Sequence, residues 1–156
     1  MTAEAIRMLQ DDTFNIKDIE VIACGTATPD ELLPSHSSMV HGELANQSIE
    51  AVTFSGSCCS GVHAFKYGYL NILSGFNKNA VATGSERVSI RMLSRNFSEE
   101  RKKLDDLEKK PMLAFEKDFL RWMLSDGAAA ILLRDKPNTN GLCVIVTGKQ
   151  IGRAHV

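Results

Sequence analysis

The chain has 156 residues, 44% of them hydrophobic and 24% charged, with a formal net charge of −1. This composition suits one globular domain of ordinary size, and the near-zero charge excludes a general attraction for nucleic acid or anionic lipid. No apolar run approaches the roughly 20 residues that cross a bilayer, and Met1-Thr2-Ala3-Glu4-Ala5 lacks the basic start and apolar core of a signal peptide, so a soluble cytoplasmic protein is expected.

In chain order, residues 2–10 read as the end of a helix and 19–25 as a strand. A loop with two prolines, Pro29 and Pro34, follows over 26–34, and a helix over 35–45 has Ser35 as its N-cap. Residues 50–55 read as a short buried strand that runs into Ser57-Cys58-Cys59-Ser60-Gly61. Beyond it Val62, Phe65, Tyr69 and Leu73 recur at three- and four-residue spacing, as one face of a buried helix would. Residues 79–84 are nearly unbroken in small and apolar types, as strands covered on both faces tend to be. Residues 126–134 and 141–147 form a last strand pair, connected through 136–140. Helical and strand patterns alternate, the signature of an α/β fold with parallel strands. The run from 96 to 117 concentrates charge: Ser98 followed by acids and ending in lysines predicts one solvated helix on a surface insertion.

The junction at 57–61 has two readings. A cysteine in the first helical turn would face unpaired backbone N–H groups and the positive end of the helix dipole, which favour thiolate. Gly61 would let another backbone pass close by. Alternatively, Cys58 and Cys59 are small residues filling a tight turn, since free cysteine is commonly buried and inert. The four cysteines, at 24, 58, 59 and 143, show no CxxC spacing, and adjacent cysteines do not readily serve one structural zinc. Reduced thiols are expected, and a disulfide between Cys58 and Cys59 is not.

Four stretches then stand in a telling order: Thr28-Pro29-Asp30 with Leu33-Pro34-Ser35, Cys59-Ser60-Gly61, Ala82-Thr83-Gly84-Ser85-Glu86-Arg87, and Ser125-Asp126-Gly127-Ala128-Ala129-Ala130. Together they resemble the N-terminal half of a beta-ketoacyl-acyl-carrier-protein synthase of the third class, in the thiolase superfamily. The resemblance implies about half of a thiolase-like layered α/β fold, truncated at both ends, with a mostly parallel sheet and a buried nucleophile-bearing helix. Residues 1–149 would be a partial N-terminal domain with 96–117 as its charged insertion. The tail 150–156 has no place in that pattern and reads as a non-native scar.

The same resemblance implies an acyltransferase of fatty-acid or polyketide-type synthesis. Cys59 matches the nucleophile that takes an acyl group from acyl-CoA, and malonyl-acyl-carrier protein then condenses with the thioester through a decarboxylative Claisen step. The Cys59 N–H would be one oxyanion donor, and Cys58 falls at a packing position. Leu33 matches a residue that lines the partner subunit's acyl pocket. Gly84 to Arg87 lies beside the strand where the sheets of such homodimers join, with Arg87 a candidate substrate contact. Coenzyme A enters as substrate, and no metal or other cofactor is implied.

The family's catalytic histidine and asparagine belong to a C-terminal half with no counterpart here, so condensation by this chain alone is not expected. His36, His41 and His63 sit in the wrong segments and read as structural or solvent-facing. Glu31 leaves a hydroxymethylglutaryl-CoA-synthase-like enzyme open. A polyketide-synthase-like enzyme, a non-catalytic partner of a ketosynthase and a thiol-sensing role for the cysteine pair are further alternatives.

Overall fold

A computed structural model describes residues 1–45, 47–116 and 124–136. They fall into two compact units, Met1–Glu86 with the strand beginning at Gly127, and Arg87–Asp126. The predicted strand at 141–147 and the tail 150–156 lie outside the described residues.

The first unit is built on four strands, β1 (Val21–Thr26), β2 (Glu50–Ser55), β3 (Asn79–Glu86) and β4 (Gly127–Arg134), in the order β2-β1-β3-β4. β1 runs parallel to both neighbours, and β4 lies beside β3, antiparallel to it. All six residues of β1 are buried, which its run of Val21, Ile22, Ala23 and Cys24 allows on both faces. β2 is an edge strand of the described sheet and only half-buried, not the buried strand the apolar run predicts. Periodicity reports apolar content, not which strand has a neighbour on each side.

Glu20 aligns the start of the three parallel strands. Its carbonyl accepts from the Glu50 amide at 3.0 Å and its amide donates to the Asn79 carbonyl at 3.1 Å. Its carboxylate accepts from the Lys78 amide and, at 2.9 Å, from the Asn79 amide.

Helices cover both faces. α1 (Thr2–Arg7) buries Ala3, Ala5 and Ile6 against Ile22, Cys24, Val81 and Ala130. α2 (His36–Leu44) lies on the same side and begins at Ser35, whose side chain accepts from the Ser38 amide. It is tied to β2 where the buried Ser37 amide donates to Thr53 Oγ1 at 2.9 Å. The Leu33–Pro34 bond just before it is cis. On the β4 side, Arg134 donates to the Thr13 carbonyl at 2.8 Å and stands over the Phe14 ring.

α3 (Ser60–Leu73) covers the opposite face. The predicted inward stripe is displaced. Val62, Tyr69 and Leu73 are 65%, 50% and 67% exposed, and the residues facing inward are Ser60, Ala64 and Gly68. The reason is distance. Across the sheet α3 meets alanines and glycines of β1 and β3, so the helix comes close enough that only small residues fit beneath it. Phe65, Tyr67 and Ile72 pack beside that contact, around Val21, Ala80 and Leu133.

In the second unit the expected single helix is two, α4 (Ser98–Lys102) and α5 (Leu104–Lys109), separated at Lys103. Neither buries a residue, and a Lys102–Glu99 pair at 2.7 Å is fully on the surface. Without an apolar stripe to dock, little supports one long helix beyond its own propensity. Val88 and Phe97 are the buried apolar residues among those described in this unit. Asp126 accepts from the Ser89 amide at 2.8 Å, and these Ser89 bonds, with Arg87 contributing less, hold its carboxyl below the usual carboxylate range.

Candidate active site

In a parallel arrangement the C-terminal ends of β1, β2 and β3 share one edge of the sheet, and loops leaving that edge are where α/β proteins place ligands. Two predicted site residues leave it from adjacent strands, Leu33 in the loop after β1 and Cys59 in the turn after β2. Leu33 is 87% exposed, at the tip of its loop beside Leu32. Arg87, also exposed, is the first residue of the other compact unit.

Cys59 is the N-cap of α3, one position before the predicted first turn, with φ −92° and ψ 3°. This is the bridge region of backbone space, where turn and active-site residues are often found. Its carbonyl accepts from the His63 amide at 3.0 Å, and the Ser60 amide closes the preceding turn on the Ser57 carbonyl at 3.1 Å. The Cys59 side chain makes no capping hydrogen bond. Cys58 and Cys59 are both free and exposed, so neither is a buried filler of the turn.

What holds this turn in place is a pair of glycines that the sequence reading did not single out as a seat. Gly25 and Gly84 are register partners on β1 and β3, facing the start of α3. A Cβ on Gly25 would stand 2.4 Å from the Ser60 carbonyl carbon and 2.5 Å from Gly61 N, so the helix rests on bare backbone there. Gly61 has a milder neighbour, with Gly84 Cα 3.5 Å from where its Cβ would be. The close approach expected at Gly61 is therefore enforced mainly at Gly25. A glycine closing a buried strand was the available signal.

A second missed residue is Glu86, at the end of β3. Its carboxylate accepts from the Ala27 amide at 2.5 Å and the Thr28 hydroxyl at 2.6 Å. One residue earlier, Ser85 Oγ lies 3.2 Å from His36 Nε2, which is also 3.3 Å from Thr2 Oγ1. Burial pushes the His36 pKa below the ordinary imidazole value, Asp30 and Glu86 pull it back up, and the N-terminus pushes it down. His41 Nε2 donates to the Gln47 carbonyl at 2.8 Å. His63 is exposed, its ring 6.5 Å from that of Phe54.

Cys24 contrasts with the exposed pair. Buried in β1, its thiol is pushed by desolvation from 9.0 up to about 11. Because the folded pKa is the higher one, the stability from keeping this thiol neutral is complete below pH 9 and lost as pH rises toward 11. The linkage amounts to about 2–3 kcal/mol. Urea unfolding at pH 8 and at pH 11 is expected to show a smaller fall for Cys24→Ala than for the unchanged chain. The cavity cost is common to both pH values and drops out of the difference.

No family model matches the chain. Among curated proteins it is 32% identical over 88 residues to beta-ketoacyl-acyl-carrier-protein synthase III 1 of Deinococcus radiodurans, covering 56% of this chain and 26% of that protein. It is 35% identical over 91 residues to the corresponding synthase III of Neisseria gonorrhoeae, covering 57% of this chain and 28% of that one. The chain is similar to third-class ketoacyl synthases. It matches only about a quarter of their length.

Solved structures agree on the fold. The 3-oxoacyl-acyl-carrier-protein synthase III of Aquifex aeolicus superposes with a TM-score of 0.62 at 20% identity, covering 88% of this chain and 38% of that one. A variant of OleA from Xanthomonas campestris gives 0.65 at 21% identity, covering 84% and 39%. The described fold matches part of these structures, a thiolase-like α/β layer whose sheet is mostly parallel. No helix among the described residues is long and apolar enough to cross a membrane, and they contain no cluster of histidine, cysteine and acidic groups able to hold a metal ion.

Proposed function

We propose that this chain carries the acyl-accepting portion of a condensing acyltransferase of the beta-ketoacyl-acyl-carrier-protein synthase III type, with Cys59 as nucleophile. The observation that carries the reading is the placement of an exposed cysteine at the N-cap of α3, on the edge where the parallel strands end. The Cys59 thiolate attacks the thioester carbonyl of an acyl-CoA, the carbon–sulfur bond to coenzyme A breaks, and coenzyme A leaves as its thiol with one proton. The acyl group then rests on Cys59. The Cys59 N–H and the first-turn amides of α3 that follow it suit the developing oxyanion. The acceptor for condensation is malonyl-acyl-carrier protein, whose loss of carbon dioxide supplies the attacking carbanion.

Leu33 in this reading contributes to the acyl pocket of a second subunit in a homodimer, and Arg87 contacts the acyl-CoA. Coenzyme A is a substrate and no resident cofactor is required.

Intact-protein mass spectrometry with peptide mapping, after incubation with a panel of acyl-CoAs, tests the assignment. An adduct on Cys59, abolished in Cys59→Ala and kept in Cys58→Ala, is expected. Equal labelling of both cysteines, or a folded chain that takes no acyl group, would count against it.

A further inference from the structure

We propose that Glu86 is a positioning residue: its carboxylate fixes the loop after β1 and so, through the Leu33 side of the acyl pocket, sets which acyl chains the partner subunit's Cys59 accepts. The inference rests on the acyl-cysteine reading above.

Two successive residues of β3 hold the two ends of this loop. At its entry Glu86 gathers both the Ala27 amide and the Thr28 hydroxyl, and the Thr28 amide in turn donates to Thr26 Oγ1 at 3.2 Å. At its exit Ser85 meets His36, the first residue of α2. Between those points lies the tip, where Leu32 and Leu33 are each 87% exposed. The two anchored ends bear directly on where the tip stands.

Glu86 is also close in register to the nucleophile's seat. It lies two residues beyond Gly84, about 7 Å along the strand and on the same face by strand alternation. Gly84 approaches Gly61 of the turn that bears Cys59. One strand end thus sets both the nucleophile turn and the Leu33 loop. A carboxylate suits this task because it accepts two bonds at once, and charge-assisted bonds are about twice as strong as neutral ones.

The test uses the full chain with Glu86→Gln, Thr28→Val and Thr28→Ser. The amide of Glu86→Gln keeps an acceptor oxygen for the Ala27 amide and can donate to the Thr28 hydroxyl, but it loses the charge that strengthens both bonds. Hydrogen exchange of the 27–33 amides is expected to rise roughly tenfold in Glu86→Gln and Thr28→Val, with the α3 amides unchanged. Thr28→Ser, which keeps the hydroxyl, is expected to exchange like the unchanged chain. The ratio of long-chain to short-chain acylation at Cys59 is expected to shift in the first two variants and to return in Thr28→Ser. Exchange that stays unchanged in Glu86→Gln, or exchange that rises while the chain-length ratio holds, would overturn the role given to Glu86. An unchanged chain that takes no acyl group at all overturns the nucleophile reading and the specificity step together, and is recognised by an exchange signature that persists without any adduct.

Discussion

Gly25→Ala is expected to destabilise the chain by about 2–4 kcal/mol, at the upper end of overpacking costs, and to abolish acylation of Cys59. The added methyl would sit 2.4 Å from the Ser60 carbonyl carbon and 2.5 Å from both the Ser60 oxygen and Gly61 N. All three are backbone atoms, so no side chain can swing aside. Either β1 or the start of α3 has to move. β1 is buried at every residue and paired on both sides, whereas the turn at 56–59 that leads into the helix is exposed, so the helix start moves. Displacing it re-aims the Cys59 sulfur and the first-turn amides together.

Gly61→Ala is the matched control. Its methyl meets Gly84 Cα at 3.5 Å, an ordinary contact, and alanine favours the helix over glycine by up to about 1 kcal/mol. Urea unfolding and adduct formation are therefore expected to be near unchanged or slightly improved. A Gly25→Ala chain as stable and as readily acylated as its parent would show that the seat is not rigid.

The outline of the fold was readable because its elements carry local signals. Ser35 is a capping residue and caps α2, residues 50–55 form β2, and Asn79 opens a strand of small, apolar residues. Their order also carried the resemblance to the ketoacyl synthases. What the sequence concealed depends on contacts between distant segments. Gly25 and Gly84 become a seat only when β1 and β3 pair in register, and Glu86 meets Ala27 across 59 positions of chain. The 98–110 run shows a different failure, since its charge order favours helix while nothing apolar holds the two halves in one line.

α3 is the sharpest case, because periodicity and structure predict opposite mutational effects. If the apolar stripe faced the core, Leu73→Ser would cost several kcal/mol and Ala64→Leu little. The structure reverses this. Leu73 is 67% exposed, while Ala64 is fully buried. Leu73→Ser is expected to lie within about 0.5–1 kcal/mol of the parent, because a residue already in water gives up little burial. Ala64→Leu adds three carbons to a contact with no room for them and is expected to cost about 2–3 kcal/mol, perturbing the helix that carries Cys59. Gly68, one turn on, shows how tight that contact is: a Cβ there would stand 2.9 Å from Leu133 Cδ1. Urea midpoints for the two variants decide between the faces. A large loss for Leu73→Ser beside a tolerated Ala64→Leu would mean that α3 is rotated about its axis, and the Gly25–Gly84 seat would fall with it.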